Sequence, residues 1–305
     1  MHSGLFDFAP EVQEALARKH PVVALETTIL SHGMPYPDNV ATAREVERIV
    51  RAAGAVPATI ALIGGRIRIG LSDLELEHIG TSKDVLKLSR ADLPFAVACG
   101  KDGATTVAAT MLLSALAGIT VFATGGIGGV HRGAEQSMDV SADLEELART
   151  PVTVVCAGAK ALLDLPKTIE VLETLGVPVI GYGVDEFPAF WSRASGLPVP
   201  MRLDTPSQVA NFVRVQRLLG ISAGALIANP IPVEREIARS EMAVFIDQAV
   251  RDAQQHCISG KSVTPWLLSR LLDITGGRSL VANVDLIKNN AHVAAQIAVA
   301  VAAAT

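Results

Sequence analysis

The stretch ITVFATGGIGGVHRGAEQSMDVSAD, residues 119–143, passes from an apolar run into a glycine-rich polar loop. The run ITVFA predicts a buried strand, and the loop begins where that strand ends. Four glycines occur among the six residues TGGIGG, so the backbone there can approach a ligand closely. The apolar residues Ile127, Val130 and Met138 are interleaved with the polar ones, which argues against a merely solvated surface loop. We therefore expect a functional site in this loop.

Apolar runs and helical patterns alternate on both sides of this stretch. The runs that predict strands cover residues 21–28, 57–63, 66–69, 119–123, 152–156, 177–182 and 224–228. The helical patterns cover residues 40–53, 72–78, 104–117, 142–149, 165–175, 206–219, 233–256, 265–273 and a last segment from 279. This alternation predicts an α/β fold with a largely parallel central sheet and helices on both faces. Gly64-Gly65 predicts one hairpin, and no linker or repeat divides the chain, so we expect a single domain over residues 1–305.

Composition excludes several classes of function. Of the 305 residues, 50% are hydrophobic and the net charge is −5, with no basic stripe and few aromatic residues, so a nucleic-acid polymer is not an expected partner. No segment reaches the ~18 apolar residues that span a bilayer, so no membrane is expected either. Cys99, Cys156 and Cys257 are widely spaced and form no disulfide framework, which fits a reducing cytoplasm.

The sequence lacks the standard nucleotide-phosphate motifs. No G-x-G-x-x-G frame fits the central loop, and G-x-x-x-x-G-K-[ST] is absent. However, the turn Gly100 to Gly103 leads into the predicted helix 104–117, with Thr105 and Thr106 in its first turn. Free backbone N–H groups at a helix start can bind a phosphate without a P-loop, although most helices that begin with threonine bind nothing. We expect a phosphate near Thr106.

Two more strand ends carry candidate catalytic side chains. Glu26 stands at the carboxyl end of the run 21–28, where an open α/β sheet binds its ligands, and several polar residues crowd the same corner. Lys160 follows the run 152–156 among alanine and glycine, and partial desolvation there favours the neutral, nucleophilic form of an amine. Taken alone, Glu26 would be a paired strand-end carboxylate and Lys160 a surface lysine. The crowded corner at Glu26 favours the functional interpretation.

Several long motifs occur in one order along the chain: ALETTILSHGMPYP, GKDGATTVAATM, TGGIGGVHRGAEQSMDVSADL, CAGAKALLDLPKTIEVLETLGVPV, GYGVDEFPAFW, ANPIP, and the C-terminal SLVAN and NNA. With these motifs the sequence resembles the pseudouridine-5′-phosphate glycosidase family, also called pseudouridylate synthases, over nearly its whole length. Trp191 stands where a tyrosine is usual after DEFPAF, a departure away from the reacting centre. The resemblance implies a three-layer α/β/α sandwich assembled as a homotrimer.

The resemblance also implies roles for individual residues. Glu26 would be the proton donor, Lys160 the covalent nucleophile and Asp139 the carboxylate associated with manganese, Mn²⁺. His131 and Asn283 would hold uracil. The other implied substrate contacts are Lys87, Val107, Ser141, Ala142 and Asp143.

The implied activity is reversible cleavage of the carbon–carbon glycosidic bond of pseudouridine 5′-phosphate, giving uracil and ribose 5-phosphate in pseudouridine catabolism. Two alternatives stay open. A Schiff-base aldolase or another sugar-phosphate lyase would use the same lysine and phosphate site on a different sugar. A non-catalytic nucleotide-binding protein would keep the pocket, but the joint presence of Glu26, Lys160 and Asp139 argues against it.

Overall fold

The computed structural model describes residues 4–256, 258, 260 and 263–304. Within these ranges eleven strands join in one sheet. The strands are β1 Phe6–Phe8, β2 Val22–Leu25, β3 Val56–Ile63, β4 Arg66–Ile69, β5 Leu86–Leu88, β6 Gly103–Thr105, β7 Val121–Ala123, β8 Thr153–Cys156, β9 Val179–Tyr182, β10 Met201–Leu203 and β11 Ala225–Ala228. Their order along the sheet is β1-β4-β3-β2-β7-β8-β11-β9-β10, and β5 and β6 branch from β3.

The centre of the sheet is parallel. β2, β7, β8 and β11 are adjacent and pair in parallel, and every residue in these four strands is buried. Strands covered on both faces are continuous apolar runs, as these are. The predicted hairpin is confirmed, since β3 and β4 pair antiparallel around Gly64-Gly65. The antiparallel pairing of β6 with β3 is a second exception to the parallel pattern.

Twelve α-helices accompany this sheet in the described part of the chain. They are α1 Pro10–Ala17, α2 Asp38–Ala52, α3 Asp73–Thr81, α4 Leu93–Ala98, α5 Val107–Ala117, α6 Ala134–Ser137, α7 Ala142–Arg149, α8 Leu165–Thr174, α9 Pro206–Leu218, α10 Arg239–Gln255, α11 Val263–Ile274 and α12 Arg278–Ala303. α12 packs on β2, β7 and β8 with α2 and α9 beside it, while α5 and α7 pack together and α5 also contacts β2. The result is the expected layered α/β arrangement with a mostly parallel central sheet.

One predicted helix was wrong at its start. Residues 104–117 were predicted as a single helix, but Gly103–Thr105 is strand β6 and α5 begins at Val107. β6 pairs with β3 and with β5, and these partners lie too far away in sequence for local periodicity to reveal them. Thr106 is therefore the N-cap of α5, and its hydroxyl accepts a hydrogen bond from the Ala109 N–H.

The predicted helix 233–256 also begins later than expected. Val233–Arg235 form a short 3-10 turn, and α10 starts at Arg239. Between them Ile237 is buried, its N–H donates to the Trp191 carbonyl, and its own carbonyl accepts from the Ser192 hydroxyl. These tertiary bonds hold the segment out of the helix.

The apolar C-terminal segment belongs to α12, the longest helix, and most of its small side chains are buried against the sheet. In the part of the chain that the structure covers, no helix has the length and hydropathy needed to cross a bilayer. Cys99 and Cys156 are free thiols, and Cys257 lies outside the described residues.

Candidate active site

A cavity of about 360 Å³ opens at the carboxyl ends of β2, β7 and β8. All of the candidate residues proposed from the sequence line it: Glu26, Lys87, Thr106, Val107, His131, Asp139, Ser141, Ala142, Asp143, Lys160 and Asn283. Parallel strands bring their carboxyl ends to one edge of the sheet, which is why residues distant in sequence meet there. The structure places these residues together, and the role of each stays a prediction.

Glu26 directly follows β2 and faces the cavity. Burial raises the pKa of its carboxyl group, while the positive charge of Lys160 and a hydrogen bond from the Thr124 hydroxyl oppose the rise. A nearby negative charge, Asp143, adds to the effect of burial. The protonated form of Glu26 is thus favoured relative to an exposed glutamate, as a proton donor requires.

Lys160 is held by the loop that follows β8. Its N–H donates to the Ile127 carbonyl at 3.1 Å, and its carbonyl accepts from the Leu163 N–H at 3.0 Å. Gly158 has a φ of +80°, and a Cβ built there would lie 2.2 Å from the Pro188 carbonyl oxygen. Only glycine fits this turn, and the turn brings the backbone of Lys160 against the central loop.

Asp143 ties the central loop to helix α5. One carboxylate oxygen accepts from the Ala108 N–H at 2.9 Å, and the other accepts from the Gly128 N–H at 2.8 Å. A Cβ at Gly128 would lie 2.2 Å from Oγ of Ser141, so the close approach requires glycine. The sequence did not predict this second, structural use of Asp143, because it depends on bonds to two separate elements.

These bonds correct the geometry expected at the start of α5, while a phosphate near Thr106 stays a prediction. We expected free N–H groups in the first turn of a helix with Thr105 and Thr106 inside it. Instead, Thr105 belongs to β6, the Ala108 N–H is taken by Asp143 and the Ala109 N–H by Thr106. The start of α5 therefore offers a ligand fewer donors than predicted.

Basic groups occupy the side of the cavity around Lys87. Lys87 lies on β5 and is close enough to act electrostatically on Glu26, His32 and His131. Burial lowers the pKa of the His131 imidazole, and the charges of Lys160 and Lys87 add to this effect, while Asp139 opposes it. The imidazole is thus held neutral near pH 7, where it can both donate and accept a hydrogen bond.

Asn283 contributes a buried polar side chain to the cavity lining. It lies on α12 with 5% of its surface exposed, and its Oδ1 atom has no hydrogen-bond partner among the described residues. A buried acceptor without a partner is costly and requires an explanation. Because Asn283 lines the cavity, a bound ligand is a candidate source of the missing N–H donor.

The donor groups around Asp139 decide how a manganese ion could be held. No group of three or more His, Cys, Asp or Glu side chains in the described ranges is arranged to hold a metal ion. The Asp139 carboxylate is 39% exposed, and its Oδ2 atom lies 3.9 Å from Nδ1 of His131. This donor set fits a hydrated ion that touches Asp139 and keeps most of its waters, and it does not fit an all-protein cage.

Sequence reasoning missed two parts of the site. Thr124, which bonds to Glu26, directly follows the apolar run 119–123, and a polar residue at a predicted strand end was a usable signal. The wall formed by Thr264, Pro265 and Leu268 of α11 had no local signal, because only the tertiary fold brings α11 to the cavity.

The fold and the cavity define an α/β enzyme that acts on a small molecule at the carboxyl ends of its parallel strands. The chain belongs to the family described as Indigoidine synthase A like protein, which it matches over residues 11–300, and the resemblance drawn from its motifs is confirmed.

Curated relatives share more than half of their residues with this chain. The pseudouridine-5′-phosphate glycosidase of Solibacter usitatus is 64% identical over 289 residues, covering 95% of this chain and 97% of the relative. The protein of the same name from Methylobacterium nodulans is 64% identical over 296 residues, covering 97% of this chain and 88% of the relative.

Two solved structures share the fold over nearly the full length. The prealnumycin C-glycosynthase AlnA in complex with ribulose 5-phosphate is 37% identical, with a TM-score of 0.91 and coverage of 98% of both chains. An indigoidine synthase A-like protein from Thermotoga maritima is 36% identical, with a TM-score of 0.88 and coverage of 97% of this chain and 96% of that one.

Proposed function

We propose that this protein cleaves the carbon–carbon glycosidic bond of pseudouridine 5′-phosphate reversibly, giving uracil and ribose 5-phosphate, and that it serves pseudouridine catabolism. The observation that carries the proposal is the pairing, on one cavity wall, of a buried Glu26 carboxyl group with the amine of Lys160. Relatives named for this activity, 64% identical over nearly the whole chain, support it.

The chemistry explains why an acid and an amine are both needed. In this substrate C1′ of ribose is bonded to C5 of uracil, and that carbon has no lone pair for an acid to protonate. Protonation of the ribose ring oxygen by Glu26 instead breaks the C1′–O4′ bond and opens the sugar. The Lys160 amine then adds at C1′.

The base leaves in the second half of the reaction. Once C5 of uracil is protonated, the lone pair of the Lys160 nitrogen expels uracil by breaking the C1′–C5 bond, and an iminium ion remains. Hydrolysis of that iminium releases open-chain ribose 5-phosphate and restores the amine. In reverse, the lysine condenses with the sugar aldehyde and uracil attacks through C5.

Other residues of the cavity wall would hold the two ends of the substrate. The neutral imidazole of His131 and the unpaired Oδ1 of Asn283 suit the alternating N–H and C=O groups of uracil. Because the first turn of α5 has few free donors, the phosphate would rely on the Lys87 ammonium and the Thr106 hydroxyl, with Ser141 nearby.

Two further expectations stay part of the proposal. A hydrated Mn²⁺ held by Asp139 would supply positive charge that lets a phosphorylated substrate approach Asp139 and Asp143. A homotrimer would cover apolar surface, and the exposed side chains of Leu218 and Leu219 at the end of α9 are of the kind that a subunit contact buries. Light scattering would measure the assembly directly.

The test is incubation with pseudouridine 5′-phosphate and Mn²⁺. Uracil and ribose 5-phosphate should appear in equal amounts, and borohydride added with ribose 5-phosphate should leave a stable adduct on the peptide containing Lys160. A sugar-phosphate lyase of another specificity would form an adduct but release no uracil. An adduct on Lys87 or Lys101 would reassign the nucleophile.

A further inference from the structure

The hydroxyl group of Thr124 contacts the Glu26 carboxyl group directly. Thr124 follows β7 and Glu26 follows β2, and these two strands are neighbours in parallel register. The Thr124 Oγ1 atom donates a hydrogen bond to Oε1 of Glu26. Thr124 is completely buried, so the donor side of this bond is shielded from water, while Glu26 faces the cavity.

Hydrogen bonds hold both the backbone N–H group and the backbone carbonyl group of Thr124. Its N–H donates to the Val155 carbonyl on β8 at 3.0 Å, and its carbonyl accepts from Nδ2 of Asn290 at 2.9 Å. Asn290 is also completely buried, and its Oδ1 accepts from Nδ2 of Asn229, which follows β11, at 2.9 Å. A β-branched side chain on so restrained a backbone has few rotamers available.

We propose that Thr124 is the positioning residue of the acid, holding Oε1 of Glu26 so that the proton is presented to the sugar on Oε2. This inference rests on the proposed function, because it assigns Glu26 the role of proton donor. A hydroxyl that donates to Oε1 makes that atom the acceptor, so in the neutral carboxyl group the proton resides on the other oxygen. Asn290 of α12 braces the backbone of Thr124, and Asn229, which follows β11, holds Asn290 in turn.

The same hydrogen bond tunes the strength of the acid. Burial raises the pKa of Glu26, and the bond from Thr124 lowers it, because the bond is stronger to a carboxylate than to a neutral carboxyl group. Without the hydroxyl the pKa of Glu26 would rise further. The proton would then be held more tightly and released to the ring oxygen less readily.

The experiment compares Thr124→Val with Thr124→Ser in the full-length protein. Valine keeps the branched shape and removes the donor, whereas serine keeps the donor. For pseudouridine 5′-phosphate cleavage we expect Thr124→Val to lose roughly 10- to 100-fold in kcat with little change in KM, the range for a lost bond to a charged group. We expect Thr124→Ser to stay within a few-fold of the parent. The alkaline limb of the kcat/KM profile should move to higher pH only in the valine variant.

A second measurement does not depend on turnover. The infrared carbonyl band of the protonated Glu26 carboxyl group is identified by its loss in Glu26→Gln. A hydrogen bond to a carbonyl oxygen lowers its stretching frequency, so the band should move to higher frequency in Thr124→Val and remain in place in Thr124→Ser.

The outcomes separate the positioning role from the proposed function. If Glu26→Gln keeps full activity, the acid is elsewhere and both claims fall. If Glu26→Gln is inactive but Thr124→Val keeps the parent's pH profile and carbonyl band, the positioning role alone is overturned. Equal losses in the valine and serine variants, with an unmoved pH limb and lower melting temperatures, would show that Thr124 is merely structural.

Discussion

The floor and the rim of the cavity are built in different ways. On the floor, Glu26, Thr124 and Lys160 follow adjacent parallel strands, and bonds to neighbouring strands or loops hold Thr124 and Lys160. The rim is the exposed part of the central loop, where Asp139 lines the cavity with a 39% exposed side chain and its neighbour Met138 is 81% exposed. The groups assigned to the bond-breaking chemistry thus lie at rigid strand ends. The exposed loop carries residues assigned to binding, whose positions can adjust more easily. Substitutions on the floor should therefore have larger effects than those on the rim.

The largest effect is expected for Lys160→Ala on the floor. Removing the nucleophile should lower turnover on the order of 10⁴-fold or more, because the proposed mechanism assigns the other amine of the cavity, Lys87, to the phosphate and not to C1′. The variant should release no uracil and form no borohydride adduct. Lys101→Ala, on an exposed lysine away from the cavity lining, is the matched control and should stay within a few-fold of the parent. Full activity in Lys160→Ala would end the covalent mechanism.

The next largest effect is expected for Glu26→Gln, with a loss of roughly 10²- to 10⁴-fold in kcat, the usual contribution of a positioned acid. In the parent, activity should fall as the pH rises through the raised pKa of Glu26, because the donor must be protonated. Steady-state rates across pH check both statements. A glutamine variant within a few-fold of the parent would contradict the assignment.

The raised pKa of Glu26 also predicts the direction in which folding stability changes with pH. Its pKa is higher in the folded protein than in an unfolded chain, so the folded state binds this proton more tightly. Stability is therefore lost as the pH rises from the ordinary value through the raised one. Glutamine does not titrate, so thermal unfolding of Glu26→Gln at neutral pH should show a melting temperature at least as high as that of the parent.

The residues of the floor could be predicted from the sequence more readily than the hydrogen bonds that hold them in place. Glu26 and Lys160 follow apolar runs, and an apolar run that ends in polar residues is a local signal for a strand end in an α/β fold. Asn290 carries no such signal, because it meets Thr124 only when α12 packs on the sheet, 166 positions away in sequence. The strand at Gly103–Thr105 was missed for the same physical reason, since pairing with β3 defines it.

On the rim, Asp139→Asn should weaken the affinity for Mn²⁺ and leave the fold unchanged. Asp139 would be the carboxylate that contacts the hydrated ion, so its loss should cost at least about 10- to 100-fold in metal affinity, which is what loss of an outer-shell partner typically costs. Titrating Mn²⁺ into chelator-treated enzyme should show the half-saturating concentration rising by that factor, with kcat largely restored at high Mn²⁺. Asp185→Asn, on a 79% exposed carboxylate elsewhere, should titrate like the parent. Full activity of exhaustively chelated parent enzyme would remove the metal role.

The smallest effect is expected for Met138→Ala, also on the rim. Met138 has a φ of 55° and its side chain is 81% exposed, so truncation creates no cavity, and alanine keeps the Cβ that bears any backbone strain. We expect a change within about 0.5 kcal/mol in the free energy of unfolding and within about twofold in kcat/KM. Met111, completely buried on α5, is the matched contrast, and Met111→Ala should cost about 2 to 5 kcal/mol in denaturant unfolding. If Met138→Ala destabilised the protein as much as Met111→Ala, the rim would be part of the packed structure, and its contrast with the floor would fail.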